Sequence, residues 1–262
     1  MSDDKMPLFA HLEDLRKRLF ISLGAVAVIF MATFTYSEEI FGILMFPLRY
    51  SLDFSISDLR LEFVPVDKLQ STKLVFLAPA EAFWMNMKVA FVAALMFSLP
   101  VIFHQFWRFI APGLNEKEKK YVVPFILAAT SLFIAGAAFC FLIVLPFALG
   151  FLLSYKIGDF LMPMISVGQY TDFCLKFLLA FGVIFELPIV IIFLAKMGIV
   201  TTESLKRKRR LAIVLAFVAG AVLTPTPDAF NQTLMAVPII LLYELGIILS
   251  VFFTKKKPDG DE

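Results

Sequence analysis

The sequence predicts an all-α polytopic membrane protein with six transmembrane helices, both termini in the cytoplasm, and short fifth and sixth helices. Hydrophobic residues make up 60% of the 262-residue chain, charged residues make up only 18%, and the mean hydropathy is +0.85. Average soluble domains are about 45–50% apolar and about 25% charged, which places this chain outside their range. A net charge of +2 is also too small for a nucleic-acid binder.

Six long apolar segments supply the predicted spans, because a helix needs roughly 20 apolar residues to cross the hydrocarbon core. The fifth segment holds only about 13 residues and reaches about 20 Å at 1.5 Å per residue, so it requires local thinning of the bilayer or shelter by protein. Pro238 interrupts the sixth segment. We predict one integral membrane domain over residues 1–255 and a flexible cytoplasmic tail over 256–262. The predicted spans are residues 19–36, 86–106, 122–145, 172–194, 211–223 and 233–253.

The distribution of lysine and arginine predicts the orientation of the chain. Four segments together hold 17 of the 24 basic residues: the N-terminal segment, the segments between spans 2 and 3 and between spans 4 and 5, and the C-terminal tail. This asymmetry places both termini in the cytoplasm, which requires an even number of spans and therefore supports six. We predict a multi-pass protein of the cell (inner or cytoplasmic) membrane.

Short elements are predicted outside the spans. Four leucines in the N-terminal segment follow the 4-3-4 spacing of an amphipathic helix that leads into the first span. On the opposite side of the membrane, residues 40–46 predict a short helix that lies on the membrane surface or caps the bundle. Residues 59–63 alternate apolar and charged side chains, which is typical of an extended segment. The leucines of the N-terminal stripe are Leu8, Leu12, Leu15 and Leu19.

The sequence holds no recognisable catalytic or metal site. It contains no H-E-x-x-H, no G-x-S-x-G, no Gly-rich phosphate loop followed by lysine, and no pair of intramembrane aspartates. Cys140 and Cys174 lie inside apolar runs, and neither histidine has a clustered metal partner. We therefore predict a protein that is not an enzyme and that uses no cofactor.

Polar residues within or beside the spans are candidate functional residues. Glu186 lies near the middle of span 4, where a carboxylate costs at least about 2.5–3.5 kcal/mol and usually lines a cavity or pathway. The alternative is a protonated glutamate that is hydrogen-bonded to a neighbouring helix. Thr224 and Gln232 flank the proline-rich break before span 6. Asn231 and Gln232 open span 6 and either bind a partner helix or satisfy backbone groups that the prolines free.

Two acidic residues stand out on the basic cytoplasmic side. Asp14 lies off the leucine stripe of the N-terminal helix, and Glu118 lies between spans 2 and 3. Ordinary solvated ion pairs, such as Asp14 with Arg18, explain such residues without any ligand.

Four segments of the chain resemble the TatC family, the multispanning subunits of the twin-arginine protein translocase. They occur in the order that the family shows and extend over nearly the whole chain. The six spans and the cytoplasmic termini also match the family topology. The segments are residues 11–19 (HLEDLRKRL), 100–112 (PVIFHQFWRFIAP), 180–188 (AFGVIFELP) and 223–238 (LTPTPDAFNQTLMAVP).

The resemblance implies a function and a set of partners. Family members receive folded proteins whose signal peptide carries consecutive arginines, and transport draws on the proton motive force without nucleotide. The resemblance assigns arginine binding to Asp14 and Glu118, with Phe109 nearby, and a guanidinium suits bidentate pairing with a carboxylate. It also implies single-span TatA-like and TatB-like partners, whose helices dock around spans 5 and 6 near Thr224 and Gln232. We further expect self-association in a multi-subunit complex.

The chain departs from the family pattern at three positions. Asp14 stands where the family usually has glutamate, Thr226 lengthens the link between two prolines, and Phe141 replaces a tyrosine found in some relatives. The alternative function is a proton-coupled secondary transporter of a small solute that uses Glu186, although the two related halves of such folds are not visible. A purely structural membrane scaffold is a third hypothesis.

Overall fold

The computed structural model describes residues 8–55, 60–65, 74–110, 122–154, 164–224 and 229–253. These residues form eleven α-helices, one π-helical segment and an antiparallel pair of strands, β1 (Tyr50–Ser55) and β2 (Arg60–Pro65). The π-helical segment is Cys140–Val144. The helices are α1 (Leu8–Thr35), α2 (Ser37–Leu44), α3 (Phe46–Arg49), α4 (Glu81–Ile110), α5 (Val122–Phe139), α6 (Leu145–Ser154), α7 (Val167–Phe185), α8 (Leu187–Lys196), α9 (Thr202–Arg207), α10 (Arg209–Leu223) and α11 (Ala229–Phe253).

Within the described residues, five helical stretches are long and apolar enough to cross a membrane. They correspond to the predicted spans 1, 2, 3, 4 and 6. The fifth predicted span is α10, whose 15 residues reach only about 22 Å and match the short helix that the sequence predicts. The prediction of an all-α polytopic membrane protein with six spans is confirmed.

The sixth helix is longer than the sequence predicted. We expected Pro238 to shorten this helix, but α11 runs for 25 residues and passes through Pro238. That prediction is wrong. A proline removes one backbone N–H from a helix, and the freed carbonyl is tolerated where neighbouring helices shelter it. The helix contacts α10 before the proline, where Gln232 and Met235 lie against Gly220, and α8 after it, where Gly246 lies against Ile191.

The chain forms two compact units, and unit 1 comprises the described residues within 1–46, 73–131 and 164–171. Its main contact is the packing of α1 along α4. Ala90 and Ala94 of α4 are fully buried, and the Thr33 hydroxyl donates a hydrogen bond to the Ala90 carbonyl at 2.8 Å. Small residues and interhelical hydrogen bonds hold helices together in lipid, where apolar burial supplies little driving force.

Glu81 organises the end of unit 1 at which α4 begins. Its carboxylate accepts hydrogen bonds from the Ser166 hydroxyl, from the Gly168 amide at 2.7 Å and from the Leu77 amide at 2.6 Å. Gly168 lies in the first turn of α7, so the carboxylate caps a neighbouring helix whose N-terminus favours negative charge. A side chain at Gly168 would lie 2.6 Å from Glu81 Oε1, and glycine therefore permits this approach.

Unit 2 comprises the described residues within 47–72, 132–163 and 172–262. Here α5 and α7 cross at two glycines, and each glycine accommodates a phenylalanine from the other helix. A Cβ on Gly136 would lie 2.6 Å from the Phe181 carbonyl oxygen and 2.7 Å from the Phe185 ring. A Cβ on Gly182 would lie 2.4 Å from the Phe133 ring. This reciprocal arrangement brings the two helix backbones into close contact.

The C-terminal helices of unit 2 also pack through glycine. A Cβ on Gly246 of α11 would lie 2.6 Å from the Ile191 side chain of α8, and one on Gly220 of α10 would lie 2.9 Å from the Gln232 carbonyl oxygen. At the other end of α10, Arg209 and Glu244 form an ion pair with an N–O distance of 2.6 Å. The α11 helix is thus fixed to both of its neighbours.

The local elements predicted outside the spans are also present. The N-terminal helix continues into span 1 as the single helix α1, and the predicted helix at residues 40–46 corresponds to α2. The extended segment predicted at residues 59–63 corresponds to β2.

Candidate functional site

The N-terminal part of α1 places Asp14 on the side of the helix that is partly covered. Asp14 accepts a hydrogen bond from Arg18 Nε at 2.6 Å, as the i,i+4 pairing predicts. The side chains of Arg18 and Asp14 are only 16% and 24% exposed. The leucine stripe points the other way, because Leu12, Leu15 and Leu19 are 59%, 43% and 56% exposed. Asp14 therefore lies on the packed face and the leucines lie on the free face.

His11 and Phe109 connect the N-terminal helix to the end of α4. Their rings stack with centroids 4.3 Å apart and an interplanar angle of 21°. Near the same end of α4, Trp107 is buried and packs against Phe125 at a centroid distance of 4.5 Å. Since His11 precedes Asp14 by one helical turn, the stack brings the helix that carries Asp14 next to Phe109.

Glu118, the second predicted arginine-binding carboxylate, lies outside the described residues. It follows Phe109 by nine positions in the segment between α4 and α5. Its assignment therefore stays a prediction from the sequence.

Glu186 lies at a break between two helices. The α7 helix ends at Phe185 and α8 begins at Leu187, because Pro188 has no N–H to donate to the carbonyl of Ile184. The Glu186 amide instead donates to Val183 O at 3.1 Å. Its side chain is half-buried, and its Oε1 atom is buried without a hydrogen-bond partner among the described residues.

An apolar groove of about 530 Å³ lies in unit 2 beside this break. Phe185, the residue before Glu186, lines one part of the groove, and Thr233 is the one hydroxyl residue in its lining. Phe141 has no hydroxyl that could pair with the Glu186 carboxyl group. The groove is lined by Phe139, Ile143, Val144, Phe185, Phe230, Thr233, Leu234, Val237, Pro238, Leu241 and Leu242.

Thr224 and Gln232 both form hydrogen bonds to backbone carbonyls of α10. The Thr224 hydroxyl donates to Gly220 O at 2.9 Å, and the Gln232 amide donates to Phe217 O at 3.0 Å. The Gly220 carbonyl also accepts a hydrogen bond from the Thr224 amide at 2.9 Å, so these bonds do not decide between the two alternatives for Gln232. Contact with a partner helix remains a prediction.

Sequence reasoning missed several structural residues. Gly136 and Gly182 were not singled out, although the spacing of Phe133 with Gly136 and of Gly182 with Phe185 repeats the same three-residue separation. Glu81 was also missed, because nothing in its local sequence indicates that Gly168 is its neighbour. Within the described part of the chain, no group of three or more His, Cys, Asp or Glu side chains could hold a metal ion.

Comparison with known proteins gives a consistent result across the chain. The family model described as "Sec-independent protein translocase protein (TatC)" matches residues 10–238. A relative with the corresponding name from Carboxydothermus hydrogenoformans is 37% identical over 261 residues, covering 100% of this chain and 99% of the relative. One from Campylobacter jejuni subsp. jejuni is 41% identical over 239 residues, covering 91% of each chain.

A solved structure supports the same relationship. It is described as "Crystal Structure of Twin Arginine Translocase Receptor- TatC" and matches with a TM-score of 0.77 at 37% sequence identity. The match covers 94% of this chain and 100% of the solved chain.

Proposed function

This chain belongs to the TatC family of Sec-independent protein translocase proteins, and we propose that it is the receptor for signal peptides with consecutive arginines. In this role it transports folded proteins across the membrane with the proton motive force, together with single-span TatA-like and TatB-like partners. The name of the solved relative, a twin-arginine translocase receptor, supports the proposal. The alternative, a proton-coupled transporter of a small solute, is not favoured by these relatives.

The stack of His11 on Phe109 is the observation that carries the receptor proposal. It brings the α1 segment that contains Asp14 to the end of α4. The segment that contains Glu118 leaves from that same end. The proposal assigns the second carboxylate to Glu118, because recognition of two adjacent guanidinium groups requires two carboxylates. Each guanidinium gains a charge-assisted and geometrically matched contact that lysine does not reproduce.

We expect Glu118→Gln to weaken binding of a twin-arginine signal peptide by about 10- to 100-fold. A hydrogen bond to a charged group contributes about 1.5–3 kcal/mol, and the neutral amide loses that contribution. Asp14→Glu should retain or improve binding, because it lengthens the carboxylate by one methylene. Crosslinking of a twin-arginine peptide to membranes that contain each variant measures the effect.

The matched control for this experiment is Glu13→Gln, which removes one carboxylate from the exposed side of α1, the helix that carries Asp14. Its crosslinking should stay within about twofold of wild type, since exposed charges contribute little. Assembly of the Glu118→Gln complex should be unchanged. Wild-type affinity for this variant would contradict the assignment of Glu118.

The proposal includes an orientation with both termini in the cytoplasm. The distribution of basic residues supports it, because 17 of the 24 lie on the predicted cytoplasmic segments. We expect single cysteines at Ser57 and Ser204, in a chain without Cys140 and Cys174, to react with an impermeant maleimide from opposite sides of the membrane. Labelling of both positions from the same side would contradict the six-span orientation.

The partner helices of the proposed complex dock near the end of α10 and the start of α11. Thr224 follows α10 and Gln232 lies in the first turn of α11, and both side chains donate hydrogen bonds to carbonyls of α10. The short α10 requires a thinned bilayer or shelter by another protein, which supports a neighbouring helix at this place. We also propose that several copies of the chain associate in one multi-subunit complex.

A further inference from the structure

The ion pair of Asp14 and Arg18 occupies the carboxylate to which the proposed function assigns a signal-peptide arginine. Arg18 Nε donates to Asp14 Oδ2 at 2.6 Å, a charge-assisted contact of the kind that a peptide guanidinium would make. Both side chains lie on the packed face of α1 and are less than one quarter exposed. An incoming arginine therefore meets a carboxylate whose charge is already balanced.

Arg18 is the member of the basic triplet 16–18 that is placed for this contact. Arg18 follows Asp14 by four positions, so one helical turn brings the two side chains together. Arg16 and Lys17 are exposed, and the Arg16 guanidinium instead lies 5.6 Å from the centre of the Phe20 ring. Three adjacent basic residues thus have different surroundings, and Arg18 alone among them forms an ion pair with Asp14.

We propose that Arg18 is an in-chain competitor for the signal-peptide arginine at Asp14. This inference rests on the proposed receptor function. A peptide guanidinium that binds Asp14 must displace Arg18 or share the carboxylate with it, and two positive charges a few ångströms apart repel each other. Exchange of one arginine for another leaves the interaction at Asp14 nearly unchanged, so Asp14 adds less affinity than an unpaired carboxylate would.

The competition has a consequence for transport. A receptor that must pass its cargo onward needs a peptide that dissociates, and an arginine held in the chain can reoccupy Asp14 when the peptide leaves. Arg18 therefore limits the affinity of the receptor and favours release. The remaining affinity comes from the other contacts of the peptide, which the proposed function assigns in part to Glu118.

Arg18→Gln is expected to increase the affinity of the full chain for a twin-arginine peptide by about three- to tenfold. The variant removes the competing charge and leaves Asp14 unpaired. A fluorescent synthetic signal peptide titrated into the detergent-solubilised protein measures the dissociation constant. Arg16→Gln is the matched control, because it makes the same change of residue and charge on the exposed side of the helix, and its affinity should change by less than about twofold.

A second pair of variants separates competition from general repulsion. In a chain that already carries Asp14→Asn, Arg18→Gln should raise the peptide affinity much less than it does in the wild type. The change in the logarithm of the dissociation constant should be less than half as large, because there is no carboxylate left to free. Equal gains in both backgrounds, or weaker binding by Arg18→Gln, would overturn the competition. If Arg18→Gln does not fold, Arg18→Lys replaces it, because lysine retains the charge but lacks the guanidinium. The Lys variant should bind the peptide more tightly than wild type does. Unchanged peptide binding by this variant would overturn the proposal.

The same titrations distinguish failure of the receptor site from failure of this inference. If Asp14→Asn binds the peptide as wild type does, Asp14 is not a peptide contact and the proposed function loses that residue. If Asp14→Asn binds about tenfold more weakly and Arg18→Gln gives no gain, the Asp14 contact stands and only the competition is refuted.

Discussion

Replacing Gly136 by alanine is expected to destabilise the protein by about 3 kcal/mol and to lower its Tm by about 6–12 °C. The new Cβ would lie 2.6 Å from the Phe181 carbonyl oxygen and 2.7 Å from the Phe185 ring. A backbone oxygen cannot turn aside as a flexible side chain can. The α5 and α7 helices would have to separate, and the contact of Phe133 with Gly182 would be lost at the same crossing.

The control for this experiment is Gly24→Ala. Gly24 lies in the span formed by α1, and a Cβ there would meet no atom within 4 Å. Alanine is more favourable than glycine in a helix by about 1 kcal/mol, so this variant should keep or raise the Tm. Thermal unfolding of the purified protein in detergent compares the two. A Gly136→Ala protein with a Tm within about 2 °C of wild type would contradict the close packing of α5 and α7.

The helices themselves could be predicted from the sequence, because the bilayer requires long apolar segments and each segment satisfies its own backbone. The break at Glu186 is also a local effect, because Pro188 has no N–H to donate to the carbonyl of Ile184. By contrast, the outcome at Pro238 depends on the helices that surround α11. Sequence alone does not reveal those neighbours, and the predicted shortening of the sixth helix was therefore wrong.

The face of a helix that packs is harder to predict in a membrane than in water. An apolar stripe can face lipid or lie on the membrane surface, so leucines there have no need to be covered by protein. In α1 the exposed side carries Leu12, Leu15 and Leu19, whereas Asp14 and Arg18 lie on the covered side. The sequence correctly separated these two faces, but it gave no means to decide which of them contacts protein.

The sequence also does not show which glycines contact a neighbouring helix. Gly136 and Gly24 are both glycines inside apolar spans, yet the first is enclosed by Phe181 and Phe185 and the second faces open space. The difference lies in which helices are neighbours, and that information is not local. Asp14 and Phe109 could be proposed as site residues only because they belong to segments that resemble a known family, and the assignment of Glu118 rests on the same resemblance.

Glu186→Leu is expected to reduce transport of a twin-arginine cargo by about tenfold or more, while peptide binding stays within about twofold of wild type. Glu186 lies at the break between α7 and α8, beside the apolar groove that Phe185 lines. A polar group at this depth is costly and is retained where it lines a pathway or meets a partner. Leucine removes that group without changing the region around Asp14 and Phe109. Transport should therefore fail at a step after signal-peptide binding.

Glu186→Gln tests whether hydrogen bonding or charge is required at the break. In the wild-type chain, the Glu186 Oε1 atom has no hydrogen-bond partner among the described residues. The neutral amide of glutamine keeps the capacity to form hydrogen bonds with water or with a partner helix at this position. We therefore expect the Gln variant to keep at least about half of the wild-type transport rate. Asn86→Leu, which removes another half-buried polar side chain from a span, is the control and should leave transport nearly unchanged. Transport assays in membrane vesicles, paired with peptide crosslinking for each variant, provide the comparison. Full transport by Glu186→Leu would mean that the carboxyl group is only tolerated within the span, and equal loss by the Gln and Leu variants would instead point to a need for the ionisable group itself.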